Sequence, residues 1–270
     1  MISRRRAWLT QLRACAAIAT ASFLLLAACS SERSEPSRGP VVLAAASTQE
    51  ALTEIAEAWA GYGHASPIVS FASTPSVARQ ADNRAPADVV VLADTRWMDF
   101  LVDRKRVRPE TVLNVASNRL VLVTKRDPDH RNLHFENVQQ ALKTVPGRIA
   151  MAEPDSVPAG RYAKEALVKI GIWPSITSRI APAENVRAAL SLLDNGEVEI
   201  AAVYASDAKA ASDSSIVASF ADESHQPIVY PAAILSESSH DDAQGFMKFL
   251  GSEQAQSIFL RHGFRSPRGM

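Results

Sequence analysis

The sequence predicts an α/β protein made of two lobes with a ligand cleft between them, and three observations support this. Short apolar runs typical of buried parallel strands alternate with segments whose apolar residues recur at helical spacing. The alternation occupies two successive stretches of the chain after residue 40. The chain has 270 residues, of which 47% are hydrophobic and 21% charged, so it is long and apolar enough for about two domain cores.

The N-terminal segment is typical of an export signal. Basic residues 4–6 precede the apolar run "ACAAIATASFLLLAAC", which is too short for a membrane-spanning helix. The run ends in "LAAC", which resembles a bacterial lipobox, so we expect a lipoprotein signal at residues 1–29 with Cys29 as the lipidated residue. The alternative is an ordinary cleavage site with an incidental cysteine. Residues 30–40 are rich in Ser and Pro and predict a flexible tether.

The first lobe begins with three strand-to-helix units. "VVLAAAS" precedes "TQEALTEIAEAW", "SPIVSFAS" precedes "VARQADN", and "ADVVVLAD" precedes "TRWMDFLVD". Repeated units of this kind imply a parallel sheet. We assign residues 41–121 to this lobe, together with residues 230–270, because "HQPIVYPAAIL" is typical of a strand that returns to the first sheet before two final helices.

The second lobe is predicted to span residues 122–229. Its strand candidates are "NRLVLVTK", "GRIAM" and "VEIAAVYASDA", and its helix candidates are "NVQQALKT", "AGRYAKEALVKIG" and "AENVRAALSLLDNG". Two of these helices end at glycine, Gly171 and Gly196, which is a common C-terminal signal.

Composition and motifs exclude several functional classes. The formal net charge is zero, whereas a nucleic-acid-binding protein needs a basic excess. Cys15 and Cys29 are the two cysteines, so the mature domain has no thiol chemistry and no disulfide. Nucleophile-elbow and phosphate-loop motifs are absent from the sequence, and its six His lack metal-ligand spacing. Asp88 and Asp94 are better explained as the polar ends of a strand than as an acid pair. We therefore expect no enzyme activity and no cofactor.

A cluster of hydroxyls marks the stretch "SFASTPSVARQ". Ser70, Ser73, Thr74 and Ser76 lie where an apolar extended run gives way to a helix. A helix cap needs only one such side chain. Several hydroxyls at one helix start also suit a bound anion, because free amides and the positive end of the helix dipole point there. From these residues alone, both interpretations stay open.

Small neutral donors also occupy other predicted loops. They are Ser47 after the first strand, the "VPAG" turn, "AEN" before a helix, and Tyr204 after a strand. Loops at the carboxyl ends of parallel strands are where such sheets bind ligands. Lys and Arg are not prominent in this set, which suits an ionised oxyanion held by hydrogen bonds worth about 1.5–3 kcal/mol each.

Six segments of the chain, taken together, form a specific pattern. They are "AAAS", "SFASTPSVARQ", "PADVVVLADTRWMDFLVD", "PDSVPAGRYAKEAL", "APAENVRAAL" and "VYASDA". In combination they resemble the periplasmic molybdate-binding proteins of molybdate ABC transporters, which are type II substrate-binding proteins. The resemblance extends from about Val42 to Phe264 and implies two lobes, each a mostly parallel sheet flanked by helices.

The resemblance also implies the residues that hold the ligand, molybdate or tungstate. Hydroxyls and backbone amides contact the oxyanion, and no side chain coordinates the metal directly. Thr74 stands where the family often has Ser, and the following Pro75 removes one amide, so Ser73 is expected as an additional donor. The implied ligand residues are Ser47, Thr74, Ala159, Val186 and Tyr204.

The implied function is capture of molybdate and its delivery to an ABC transporter permease. The protein is expected on the periplasmic side of a bacterial membrane, lipid-anchored or secreted to the periplasm, as a monomer that touches the membrane only through its lipid. One alternative is a binding protein for another tetrahedral oxyanion such as sulfate. A second is an enzyme acting on a phosphate or sulfate ester, which would need an acid, base or metal near Ser47 and Thr74.

Overall fold

The computed structural model describes residues 38–126 and 133–267. The predicted signal, Cys29 and most of the predicted tether lie outside the described residues. Within the two described ranges, no helix has both the length and the apolar character needed to cross a membrane.

The first five-stranded sheet has the order β2-β1-β3-β10-β4. Its central strands are apolar at successive positions, as a sheet covered on both faces requires. Strand β1 pairs in parallel with β2 and β3, whereas β10 pairs antiparallel with β3 and β4. The strands are β1 (Val41–Ala45), β2 (Ile68–Ala72), β3 (Val89–Val91), β4 (Leu113–Ser117) and β10 (Val229–Ile234).

The second five-stranded sheet has the order β7-β6-β8-β5-β9. Strand β6 is parallel to β7 and β8, and β5 is antiparallel to β8 and β9. The strands are β5 (Leu120–Lys125), β6 (Ile149–Ala152), β7 (Ile180–Ala183), β8 (Ile200–Tyr204) and β9 (Ser214–Ser219).

Helices flank both sheets. Helix α1 shows why they form, because Leu52, Ile55 and Trp59 share one face and are buried in the core. The α-helices of the described residues are α1 (Gln49–Ala60), α2 (Thr74–Asp82), α3 (Thr95–Asp103), α4 (Val138–Thr144), α5 (Pro158–Lys169), α6 (Trp173–Ile176), α7 (Val186–Asp194), α8 (Ala205–Ala210), α9 (Ala243–Leu250) and α10 (Glu253–Arg261).

The predicted α/β class with two helix-flanked sheets is confirmed. Each sheet is mixed, because one strand in each is antiparallel to both of its neighbours. In the first sheet this strand is β10, and in the second it is β5. Both strands follow a segment in which the chain passes from one sheet to the other. We use lobe 1 for the first sheet with α1–α3, α9 and α10, and lobe 2 for the second sheet with α4–α8.

The crossings between the lobes differ slightly from the predicted boundaries. Strand β5 begins at Leu120 in the second sheet, and β10 begins at Val229 in the first. The boundaries predicted at 121/122 and 229/230 therefore lie inside strands. The apolar run "NRLVLVTK" contains no turn signal, so the sheet to which its first residues belong is decided by hydrogen bonding with distant strands.

Candidate functional site

A small cavity lies between the two lobes and has about 230 Å³ of empty space, including its mouth. A cavity of this size is too small for a drug-sized ligand and suits a small ion better. Among the described residues that line the cavity, none carries a charged side chain. The lining residues are Ala45, Ala46, Ser47, Ser73, Thr74, Ala93, Val157, Pro158, Ala159, Asn185, Val186 and Tyr204.

The structure therefore brings all six sequence-predicted donors to one cavity. Lobe 1 contributes Ser47, Ser73 and Thr74, which follow the carboxyl ends of β1 and β2. These strands are parallel and adjacent, with Ala45 opposite Ala72, so their ends meet at one edge of the sheet. Lobe 2 contributes Ala159, Val186 and Tyr204 from the opposite wall.

The hydroxyl cluster at the start of α2 does not form a simple helix cap. Ser73 occupies the N-cap position, yet no side chain makes a capping hydrogen bond. Ser73 Oγ instead donates to Ser76 Oγ at 2.8 Å. Thr74 Oγ1 accepts from the amide of Ala93 at 3.2 Å, which leaves the Thr74 proton free for another acceptor.

Two helices of lobe 2 point their N-termini at the cavity. Helix α5 begins at Pro158, and α7 begins at Val186. The side chain of Asn185 accepts from the amides of Arg187 and Ala188 at 2.9 and 3.0 Å, and so leaves the amide of Val186 uncapped. Together with α2, three helix starts lie at the cavity and supply positive potential without a charged side chain.

Gly160 allows α5 to approach β6 closely. A Cβ atom at this position would lie 2.0 Å from the carbonyl oxygen of Ala152. Any larger residue would therefore push the helix start away from the sheet and move the amide of Ala159 with it.

Tyr204 lies at the end of β8 with its side chain buried, at 1% exposure. Its hydroxyl has no hydrogen-bond partner among the described residues, and leaving such a buried group unsatisfied costs about 1–3 kcal/mol. Burial raises the pKa of Tyr204 well above its ordinary value, with Tyr230 as the next contributor. The hydroxyl therefore stays protonated and can donate to a ligand.

A hydrogen-bonded chain that sequence analysis missed lies behind Ser47. Ser47 Oγ is 3.0 Å from the hydroxyl of Tyr230, which accepts from Asn118 Nδ2 at 3.3 Å. Asn118 Nδ2 also donates to Ser206 Oγ at 2.9 Å. All four residues are buried. Tyr230 lies in an apolar strand, and nothing in that segment distinguishes it from a core aromatic residue.

Ion pairs surround this uncharged cavity. Arg161 of α5 pairs with Asp94, which follows β3 and also caps α3 by accepting from the amide of Arg96. The interpretation of Asp94 as a polar strand end is therefore incomplete, because the carboxylate also links lobe 1 to lobe 2. Sequence analysis did not predict this ion pair. The available signal was that Arg161 lies two residues after Ala159, whose amide is a predicted ligand donor.

The second group of charges is centred on Arg187. Its Nη1 donates to Glu50 Oε1 of lobe 1 at 2.9 Å, and its Nε lies 2.6 Å from Asp207 Oδ1 of lobe 2. Burial disfavours the charge on Arg187, but the two carboxylates outweigh burial and raise its pKa. The Asp207 side chain is fully buried, and burial raises its pKa to about 7 although Arg187 opposes this.

The fold and the cavity define a two-lobed binding protein of the α/β class. The family described as bacterial extracellular solute-binding protein matches residues 40–265. The chain belongs to this family.

Several curated relatives are similar over most of the chain. The molybdate-binding protein ModA of Escherichia coli (strain K12) is 37% identical over 83% of this chain and 87% of that protein. ModA of Haemophilus influenzae is 33% identical over 83% of this chain and 88% of that protein. The putative ABC transporter substrate-binding lipoprotein YvgL of Bacillus subtilis is 32% identical over 91% and 95%. The predicted resemblance is confirmed.

Solved structures show the same fold. The periplasmic molybdate-binding protein of Azotobacter vinelandii has a TM-score of 0.76 at 24% identity and covers 85% of this chain and 100% of that one. The sulfate-binding protein SubI of Mycobacterium tuberculosis has a TM-score of 0.70 at 17% identity, over 85% and 87%. At these identities the likeness concerns the fold alone.

Proposed function

We propose that this chain is the substrate-binding component of a molybdate ABC transporter and that it also accepts tungstate. The observation that carries the proposal is the donor set of the cavity, which is uncharged and includes the buried, unpartnered hydroxyl of Tyr204. An ionised oxyanion has only acceptors to offer, so it can satisfy every one of these donors. The names of the relatives from E. coli and H. influenzae support the same ligand.

Each predicted residue has a distinct role in this proposal. Ser47, Thr74 and Tyr204 donate through their hydroxyls, while Ala159 and Val186 donate through backbone amides at helix starts. The additional donor, Ser73, bonds to Ser76 and would have to turn to reach an anion. Closure of the two lobes about the ligand is the usual motion of such proteins.

Two observations favour binding over ester hydrolysis. The hydroxyls of Ser47 and Thr74 contact the hydroxyl of Tyr230 and the amide of Ala93. Neither partner is a general base at neutral pH. The relatives are solute-binding proteins, and none of those reported above is named as an enzyme.

Calorimetric titration of the purified protein with molybdate, tungstate, sulfate and phosphate tests the proposal. Five donors to one anion can supply the roughly 8 kcal/mol that corresponds to micromolar affinity, so we expect micromolar or tighter binding of molybdate and tungstate. Sulfate is smaller and would leave some donors too distant. Tighter binding of sulfate than of molybdate would contradict the assignment.

We further propose that the protein is held on the periplasmic side of the membrane through a lipid on Cys29 and acts there as a monomer that docks on its permease. Cys29→Ala removes the thiol that would accept the lipid. We expect the variant to move from the membrane fraction to the soluble fraction. A wild-type protein that is already fully soluble would disprove the anchor without affecting the ligand assignment.

A further inference from the structure

The hydrogen-bonded chain behind Ser47 has a defined direction. It runs from Asn118, in the crossing between β4 and β5, through Tyr230 to Ser47 at the cavity. The direction matters because a hydroxyl can either donate or accept, and only a donor is useful to an oxyanion.

The orientation of the Asn118 amide is fixed by the backbone. Its Oδ1 accepts from the amide of Arg119 at 2.9 Å. The nitrogen Nδ2 therefore faces the hydroxyls of Tyr230 and Ser206, at 3.3 and 2.9 Å. An amide nitrogen can only donate, so Tyr230 must accept from Asn118.

The single hydroxyl proton of Tyr230 is then donated to Ser47. Tyr230 is fully buried, and Ser47 Oγ, 3.0 Å away, is the acceptor that the described residues offer to its hydroxyl. Once Ser47 accepts this proton, its own proton has no partner among the described residues. Ser47 lines the cavity, so that proton can be directed at a bound anion.

We propose that Asn118 and Tyr230 are positioning residues that fix the hydroxyl of Ser47 as a hydrogen-bond donor to the oxyanion. This inference rests on the proposed function and deepens it. Neither residue touches the ligand, and both act through Ser47. A hydroxyl fixed as a donor favours an anion that carries only acceptors over one that carries a proton, such as hydrogen phosphate.

A double-mutant cycle in the full protein tests the inference. The variants are Tyr230→Phe, Ser47→Ala and the combination of both, titrated with molybdate by calorimetry. Tyr230→Phe keeps the ring, which packs edge-on against Phe264 and Tyr204, and removes only the hydroxyl. We expect a loss of affinity of about three- to ten-fold in the wild-type background and less than about two-fold in the Ser47→Ala background.

A second variant reverses the direction of the chain. The side chain in Asn118→Asp has nearly the same shape but accepts a hydrogen bond where Asn118 donates one. The Tyr230 hydroxyl then donates to the new carboxylate and accepts a hydrogen bond from Ser47. We expect weaker molybdate binding and a smaller preference for molybdate over phosphate. Asn118→Asp in the Ser47→Ala background measures how the added charge alone changes molybdate affinity. The difference in affinity loss between the two backgrounds then reports whether Ser47 donates to the anion or to Tyr230.

The outcomes separate this inference from the proposed function. If wild type binds molybdate and Ser47→Ala weakens it, the site is correct whatever Tyr230 does. The inference is overturned if Tyr230→Phe binds molybdate as tightly as wild type, or if it weakens binding equally in both backgrounds. If Tyr230→Phe does not fold, the two Asn118→Asp comparisons decide in its place, and equal losses in both backgrounds overturn the inference.

Discussion

The cavity and the ion pairs around it, here called its rim, lie at the same interface between the lobes but differ in charge. The described lining of the cavity is uncharged, and the rim consists of charged side chains. The cavity is lined by hydroxyls, amides and small apolar side chains, without a charge among the described lining residues. The rim contains Arg161 paired with Asp94, and Arg187 between Glu50 and Asp207. Neutral donors can hold an anion, whereas the cations beside them are already committed to carboxylates.

The rim itself divides into links within one lobe and links across the cleft. Arg187 and Asp207 both belong to lobe 2, so their contact survives opening of the cleft. Arg161 and Asp94 belong to different lobes, as do Arg187 and Glu50, and opening of the cleft would separate both pairs. Loss of the first contact should therefore affect folding, and loss of the second should affect closure on the ligand.

The largest expected effect comes from removing the cation within lobe 2. Arg187→Met leaves the carboxylate of Asp207, whose side chain is fully buried, without its counter-charge. A broken buried pair costs roughly 3–5 kcal/mol of unfolding free energy, and we expect about 3 kcal/mol at pH 8 by urea denaturation.

An exposed pair provides the matched control. Arg84 lies 2.8 Å from Glu237, and both side chains are more than half exposed, so Arg84→Met should leave stability almost unchanged. Equal losses in the two variants would remove the distinction between rim and surface charges.

The next largest effect concerns the cavity. Tyr204→Phe keeps the ring and removes one donor to a charged acceptor, which is worth about 1.5–3 kcal/mol, or roughly ten- to a hundred-fold in affinity for molybdate. Stability without ligand should not fall, because the hydroxyl has no partner in the described structure. Calorimetry and thermal denaturation check the two halves. Unchanged affinity in a folded variant would make Tyr204 a packing residue.

The pH dependence of stability tests the buried carboxylate of the rim. The pKa of Asp207 is raised by burial from 3.8 to about 7, so between these values the folded protein holds a proton that the unfolded chain has lost. Stability from this group is therefore highest below about pH 4 and is lost as pH rises to about 7, by at most about 1.4 kcal/mol per pH unit. Asp207→Asn should remove that slope in urea titrations at several pH values. Parallel profiles for wild type and variant would show that Arg187 keeps Asp207 ionised throughout.

The smallest expected effect is on the Arg161–Asp94 pair, one of the two links across the cleft described above. Arg161→Met should weaken molybdate binding by about 1 kcal/mol, or roughly five-fold, because Asp94 must then be buried on closure without a counter-charge. Binding should persist, since no cavity donor is charged. The double variant Asp94→Asn with Arg161→Met removes both charges and should recover part of the affinity. Complete loss of binding in Arg161→Met would instead place this cation among the anion's own contacts.

The fold and the loops that line the cavity could be anticipated from the sequence because their signals are local, whereas the particular residues Ala159 and Val186 came from the family resemblance. Apolar runs such as "VVLAA" and helix starts such as "VPAG" identify strand ends and free amides within a few residues. Ser47 and Thr74 are hydroxyls at such ends, so parallel pairing of β1 and β2 was enough to bring them together.

The rim and the hydrogen-bonded chain could not be anticipated because their partners are distant in sequence. Ser47 and Tyr230 are 183 residues apart, and Arg187 and Glu50 are 137 apart. Their contacts depend on which strands neighbour one another and on how the lobes meet. Arg161, beside a predicted ligand amide, gives a weak local signal of its role. Tyr230, in an apolar strand, gives no such signal.

The place of β10 in the first sheet has a consequence for the order of folding. This strand is made late, yet it lies between β3 and β4 and is hydrogen-bonded to both. Lobe 1 therefore cannot close its sheet until β10 is complete at Ile234, and its strands span residues 41–234. The second sheet uses residues 120–219 and is complete at Ser219. Because distant pairings form slowly, we expect lobe 2 to reach its native structure first and to act as a folded insert around which the two halves of lobe 1 find each other.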